Sequence, residues 1–237
     1  MQEKKLKIDP HVHSKGISLC SSVSYQEIVD EKKKLGYDGV ILTNHCQKWY
    51  YPAAEHSSFI ERIIEEYRAA AAYAKTQNFR LWLGIEVSLH TPRYADWLLY
   101  GVTEEFLRQT PCLYALSQKQ LFAFCEKCGV LMIQAHPFRE GQAPCDPDYM
   151  HGVEINCSLG DIHKAPLVEE FAAAHNLLIT CGTDYHHTAH DYFGGMFVGA
   201  DCQSATDFAE ELRRNRETEI FLKGDARRYS FSKNDNK

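Results

Sequence analysis

Six short apolar runs in this 237-residue chain carry a histidine, aspartate or glutamate at or near their ends: IDPHVH, GVILTNH, LWLGIEV, VLMIQAHP, GVEINC and LLITCGTDYH. Runs this short and rich in Val, Ile and Leu read as buried strands, and longer stretches of helical period separate them. Strand and helix in alternation is the pattern of βα units around a parallel sheet, and 237 residues are enough for one such domain. If the strands close into an α/β barrel, their carboxyl ends meet on one face. Ligand-type side chains far apart in sequence then converge on a single mouth.

The element pattern is specific. A first strand over Leu6–Val12 leads to a helix from Tyr25 to Leu35, with Ser24 as its cap and Gly36 closing it. Gly39–Thr43 is a second strand. Ser57–Gln77 places Phe59, Ile63, Ile64 and Tyr67 at helical spacing, and Phe79–Val87 follows as a third strand. Trp97–Val102, Val130–Ala135, Gly152–Asn156, Leu177–Cys181 and Met196–Gly199 read as further strands. Helices fall at Gln118–Cys128, Ala165–His175 and Ala205–Arg214. The domain is expected to span 1–222, with a polar, loosely held tail over 223–237.

Composition narrows the function classes. A net charge of −6 gives no basic footprint for long nucleic acid, so small substrates are expected. No run approaches the roughly 18 apolar residues of a membrane span. The segment Met1–Lys7 lacks the apolar region of a signal peptide. Nine scattered cysteines, an odd number, suit reduced thiols, so a cytoplasmic location is expected. Cys125 and Cys128 form a lone CxxC before Gly129, which reads as a helix end carrying two ordinary thiols. Oligomeric state is not legible.

His11 and His13, at i and i+2 on a strand, point to the same side and can grip one ion. Glu86 ends an apolar strand, where an unpaired carboxylate would be costly and cations would remove the cost. His45, His136, Asp184 and His186 end other runs. Taken together, the seven read as one metal site.

The ordered motifs DPHVH, LTNH, GIE, AHPFR and GTDYH closely resemble the PHP family, the phosphoesterases related to polymerase-associated and histidinol-phosphatase domains. The resemblance covers roughly residues 6–200. It implies a distorted TIM-like (β/α)7 barrel holding two or three divalent ions, zinc, manganese or iron. By that resemblance His11, His13, Glu86 and Asp184 hold one ion, and Glu86 shares a second with His136. His45 and His186 hold a third with a residue from the loop after the first strand. Two positions depart from the pattern: Cys20 falls at that loop position, and Thr103 falls where similar phosphatases carry a histidine. A thiolate suits zinc, whereas threonine is a poor ligand, which leaves the number of ions open.

The expected reaction is hydrolysis of a small phosphomonoester, histidinol phosphate first, by a water that closely spaced ions activate, with Glu86 and Asp184 at the catalytic centre. Arg139 and Lys15 are the candidate phosphate-binding residues, with Arg93 behind them. His187 and His190 are candidates for orienting a ligand or protonating the leaving group. Asn156 is placed to meet substrate or water, and Asp9 and Glu154 to accept hydrogen bonds from ligands. His56, His90, His151, His163 and His175 fall off the pattern, at surface or helix positions. Alternatives are a nucleotide or oligonucleotide phosphoesterase, an amidohydrolase-type C–N hydrolase, and a degenerate metal-binding module.

Overall fold

A computed structural model describes residues 5–189, 192–215 and 217–230. Twelve strands and six α-helices are assigned among them. Strand β1 (Lys5–Val12) runs into helix α1 (Tyr25–Lys34), which Ser24 and Glu27 open with a reciprocal capping box. Strands β2 (Gly39–Leu42) and β3 (His45–Cys46) follow, then the long helix α2 (His56–Thr76). Next come β4 (Arg80–Leu83), β5 (Ile85–Leu89) and β6 (Ala95–Tyr100). Helices α3 (Glu104–Gln109) and α4 (Gln118–Cys128) lead to β7 (Leu131–Gln134). The chain continues through β8 (Gly152–Asn156), α5 (Ala165–His175), β9 (Leu178–Gly182) and β10 (Gly194–Gly199). Helix α6 (Ala205–Asn215) and strands β11 (Glu217–Leu222) and β12 (Asp225–Ser230) complete it.

The strands form two six-stranded sheets, ordered β12-β11-β10-β1-β2-β4 and β3-β5-β6-β7-β8-β9. The third strand expected over Phe79–Val87 is divided at Gly84, where a Cβ would lie 2.7 Å from Ile41 Cγ2. Hydrogen bonds nevertheless run across that break, from Gly84 N to Leu42 O and from Glu86 N to Asn44 O. At the other margin the end of β1 meets the chain beyond β9, through His13 N to Tyr185 O and Tyr185 N to His11 O. The sheets therefore touch at both margins without a continuous ladder, and the closed (β/α)7 barrel expected from sequence is corrected to two abutting mixed sheets.

Direction accounts for the difference. Strand β6 is antiparallel to both β5 and β7, and β10, β11 and β12 are antiparallel to their neighbours, so the βα alternation fails at these points. Within the tail expected from residue 223, Asp225–Ser230 pairs with Glu217–Leu222 as a two-stranded ribbon, and residues 231–237 lie outside the described residues. A reverse turn at Gly224, with φ +81°, joins them.

The core runs between the sheets and the helices. Trp97, Leu98, Leu99 and Tyr100 of β6 are fully buried, as are Ile133 of β7 and Ile155 of β8. Each buried Leu or Ile contributes about 1.5–3 kcal/mol relative to exposure. No helix among the described residues is long and apolar enough to cross a membrane.

Candidate metal centre

Alternation along β1 sends both His11 and His13 inward, and each is wholly buried. Beside them β9 must pass close, and Gly182 permits it. A Cβ at that position would lie 2.5 Å from His11 Cβ and 2.8 Å from Glu154 Oε1. His45 of β3 pairs in register with Glu86 of β5. Beyond the ends of β7 and β9, His136 and Asp184 turn their side chains in from left-handed backbone conformations, with φ of 29° and 54°. Non-glycine residues in that region are strained, and such strain concentrates at functional sites.

Three groups of ligand atoms result, each with its atoms within 4.8 Å of one another: His11, His13, Glu86 and Asp184; His13, His45 and His186; and Glu86, Asp96 and His136. Nε2 of His11 lies 3.5 Å from Glu86 Oε2 and 3.3 Å from Asp184 Oδ1. Nε2 of His13 lies 3.3 Å from each of the same two oxygens. Nε2 of His136 is 3.4 Å from Glu86 Oε1, and Nδ1 of His45 is 2.8 Å from Glu86 Oε2. The two Glu86 oxygens thus face different groups, as a bridging carboxylate does.

Nε2 of His11 and of His13 and both oxygens of Glu86 are buried without a hydrogen-bond partner. Polar atoms buried unpaired are expensive, and the usual resolution is a bonded partner or a metal. Imidazole nitrogens and carboxylate oxygens converging in this way suit divalent zinc, manganese or iron. The donor set fits the cations that the sequence reading implied.

Electrostatics agree with a site made for cations. Burial opposes charge on His11, yet the carboxylates of Glu154, Asp184 and Glu86 hold its pKa well above the ordinary value. Burial, with His45 and His186 alongside, pushes His13 well below it. Despite its burial, Glu86 is held well below the usual carboxylate range by His45 and His11. Asp184, likewise buried, is held low by His11, His13 and Arg139.

A supporting layer fixes the ligands. Glu154 Oε1 lies 2.7 Å from His11 Nδ1, which leaves Nε2 for the cluster, and Oε2 accepts from His136 N at 3.2 Å. Asp9 accepts from His11 N and Thr183 N, and its other oxygen meets the Lys32 ammonium at 2.5 Å. Lys32 is fully buried and reaches in from α1, with Thr183 Oγ1 accepting at 2.9 Å. Its place in KKK beside other lysines gave no sign of this role.

All seven residues expected from sequence to be ligands meet at this mouth. Arg139 joins them, donating from Nη2 to Asp184 at 2.8 Å and from Nε to Asp161 at 2.7 Å. Lys15 does not: it is exposed, 3.7 Å from Glu27. Arg93 is exposed on the loop between β5 and β6, lining a cavity of about 320 Å³ with Gln118 and Asp146. Asn156 faces Glu154 and Ser158 N, its amide already engaged and buried. Cys20 lies beside His45 and His186 without joining the group of His13, His45 and His186. Hydrogen bonds with His186 and His45 outweigh burial and lower its thiol to about 5. His187 lies beside Ser22, with 2.7 Å between Nδ1 and Oγ, while His190 lies outside the described residues.

Thr103 is corrected outright. Because β6 is antiparallel, its carboxyl end points away from the mouth, and Thr103 there caps α3 by accepting from Phe106 N at 3.0 Å. The start of β6 enters the mouth instead, bringing Asp96 to Glu86 and His136. Asp96 is buried, accepting from Ser88 Oγ at 2.6 Å and from Gln142 Nε2 at 2.8 Å. A carboxylate opening the apolar run ADWLLY was the available signal.

No family model matches the chain, and no curated protein matches it. Solved structures do. PsfC from Pseudomonas syringae is similar over 92% of both chains, with a TM-score of 0.68 and 19% identity. A two-domain protein from Bacteroides vulgatus, containing a predicted PHP-like metal-dependent phosphoesterase, is similar over 93% of this chain, with a TM-score of 0.63 and 21% identity. The present chain spans 65% of that protein's length. A protein of Bifidobacterium adolescentis assigned to the metal-dependent phosphoesterases matches over 90% of this chain and 98% of its own, with a TM-score of 0.58 and 16% identity. At these identities the likeness is one of fold.

Proposed function

We propose that this chain is a metal-dependent phosphoesterase that hydrolyses a small phosphomonoester, histidinol phosphate being the first compound to try. The observation that carries the reading is the buried cluster of His11, His13, Glu86 and Asp184, in which Nε2 of both histidines and both oxygens of Glu86 lack hydrogen bonds. Two of the structures sharing the fold bear the phosphoesterase name. Asp96 beside Glu86 and His136 supplies the third ligand whose lack had favoured a degenerate module. We place the protein in the cytoplasm, a reading supported by nine free thiols.

Divalent ions held here would supply a water of lowered pKa and neutralise charge gathering on the phosphoryl group. The chain's own residues do the rest. Glu86 offers one oxygen to each of two groups, setting their spacing, and Glu154 holds His11 in the tautomer that presents Nε2. Arg139 keeps Asp184 ionised and in place, and its guanidinium provides planar donors for phosphate oxygens at the same edge. The small cavity behind it is lined by His136, Asn156 and Lys164.

A panel of phosphorylated metabolites assayed with manganese, zinc and iron, with metal content measured on the same sample, tests the reading. Hydrolysis of a phosphomonoester, lost with a chelator and in Glu86→Gln, is the expected outcome. Metal bound stoichiometrically with no ester of the panel cleaved would overturn it.

A further inference from the structure

The segments that leave β1 and β2 read HSKGIS and TNHC, and three polar side chains in them, Ser14, Ser18 and Asn44, are buried without belonging to any of the three ligand groups. Buried hydroxyls and amides persist where each is hydrogen-bonded, so their partners can be counted. A turn closed by Ser18 N donating to Ser14 O at 2.9 Å brings the Ser18 hydroxyl back beside His13, and its Oγ lies 3.4 Å from Nδ1 of that ring.

The direction of each bond in this network is fixed by groups that can act in only one way. Backbone N of Ser14 donates to Asn44 Oδ1 at 2.8 Å, so the amide oxygen faces that side, and Nδ2 donates to Ser14 Oγ at 3.0 Å. Ser14 in turn gives its hydroxyl proton to Glu66 Oε1 at 2.7 Å. Glu66 reaches in from α2, and Gly16 makes room for it, since a Cβ there would collide with the carboxylate. The Ser18 hydroxyl has one proton, and it goes to Asn44 Oδ1 at 2.9 Å. Only lone pairs are then left on Ser18 Oγ. Backbone N of His45 donates to one at 3.1 Å, which leaves the other for a proton on His13 Nδ1.

Stacking cannot make this choice. His13 lies between the rings of His45 and His186, with centroids 4.3 Å and 4.4 Å away, and those stacks hold the ring plane equally well if the ring is turned over. We propose that Ser18 is the positioning residue of His13: its hydroxyl, engaged as a donor to Asn44, accepts from Nδ1 and so presents Nε2 with its lone pair to the metal centre. His13 belongs to two of the three ligand groups, so its orientation bears on both. Unlike Glu154 behind His11, Ser18 is neutral, and its polarity comes from Asn44. The effect on metal affinity rests on the metal-dependent reading of the site; the orientation of the ring does not.

Proton–nitrogen correlation spectra of the full chain at mildly alkaline pH, recorded before and after zinc is added, read which nitrogen of His13 carries the proton. Competition with a chelating dye reads the zinc affinity. The wild type is expected to show a single Nδ1–H form in both states. Ser18→Ala should mix the two forms in the metal-free chain and weaken zinc about tenfold, the lower end of what a group behind a ligating histidine contributes. Ser18→Thr, which keeps the hydroxyl, should stay within about threefold of the wild type. Asn44→Ala should mix the forms although Ser18 remains, because the freed hydroxyl can then donate to Nδ1. An Nε2–H form in the metal-free wild type would overturn the proposal without any variant. So would a single Nδ1–H form with wild-type zinc affinity in Ser18→Ala. Zinc bound with the expected ring orientation, but no phosphate ester cleaved, would uphold the positioning role and count against the phosphoesterase reading alone.

Discussion

Glu154 Oε1 stands 2.7 Å from Nδ1 of His11, and that contact decides which ring nitrogen the cluster receives. A carboxylate behind a ligating histidine raises its basicity and fixes its rotation, and such contacts are worth about 10–100-fold in metal affinity. Glu154→Gln is therefore expected to weaken metal binding by that order while the fold persists. Competition against a chelating dye measures it. Unchanged affinity would mean that His11 is held by packing alone.

Asp96 and Thr103 bracket β6, and exchanging their roles gives opposite phenotypes. Asp96→Ala is expected to remove one equivalent of metal by elemental analysis and most of the phosphatase turnover. Thr103→Ala is expected to leave metal content intact and cost about 1 kcal/mol of stability, the usual loss of a helix cap. Full metal content in Asp96→Ala would break the assignment of the third group.

The buried pair of Lys32 and Asp9 yields a stability prediction. Both side chains are wholly buried, and Lys32→Met leaves the Asp9 carboxylate with neutral donors only, from His11 N, Thr183 N and the Thr183 hydroxyl. Breaking one partner of a buried pair destabilises by about 3–5 kcal/mol. Asp9→Asn combined with Lys32→Met should recover part of that in urea denaturation. A single-substitution loss below about 1 kcal/mol would show the pair to be more solvated than its burial indicates.

Away from the centre, Glu126 gives a pH dependence. A hydrogen bond with His151, helped by Arg213, lowers its pKa to about 2. A carboxyl depressed on folding stabilises the native state above its unfolded pKa of about 4.3, and that stabilisation fades as pH falls toward the folded value. The gap in denaturation midpoint between wild type and Glu126→Gln should be widest near about pH 6 and close only below about pH 2. A gap that widens on acidification would reverse the sign.

The seven converging residues and most helices were legible because both signals are local. Apolar runs ending in His, Asp or Glu name their own ligands, and the helix over Gln118–Cys128 is framed by Ser117 and Gly129, which cap it in the structure. Direction was not legible. A strand reads the same whichever way it runs, so ADWLLYGVT offered Thr103 at one end and Asp96 at the other, and only its antiparallel pairing with β5 chooses between them. Long-range pairing was equally hidden. Lys32 in KKK and Lys15 in HSKG look alike as solvated cations, yet one reaches Asp9 in the interior and the other meets Glu27 at the surface. The ribbon of β11 and β12 stayed invisible because its second strand, DARRYS, is mostly exposed and carries three charges, as edge strands do.

The reversed course of β6 also sorts the chain's loops by what they tolerate. The turn over residues 101–103 lies at the end of β6 remote from the mouth, between Tyr100 and the cap of α3. The loop over residues 90–94 joins β5 to β6 at the mouth itself. Extra residues at the first would fall on buried Val102 and the Thr103 cap and cost stability, while leaving the cluster at the far end of β6 undisturbed. The same graft at the second would shift Asp96, so the position of an insertion along β6 decides whether it costs stability or function.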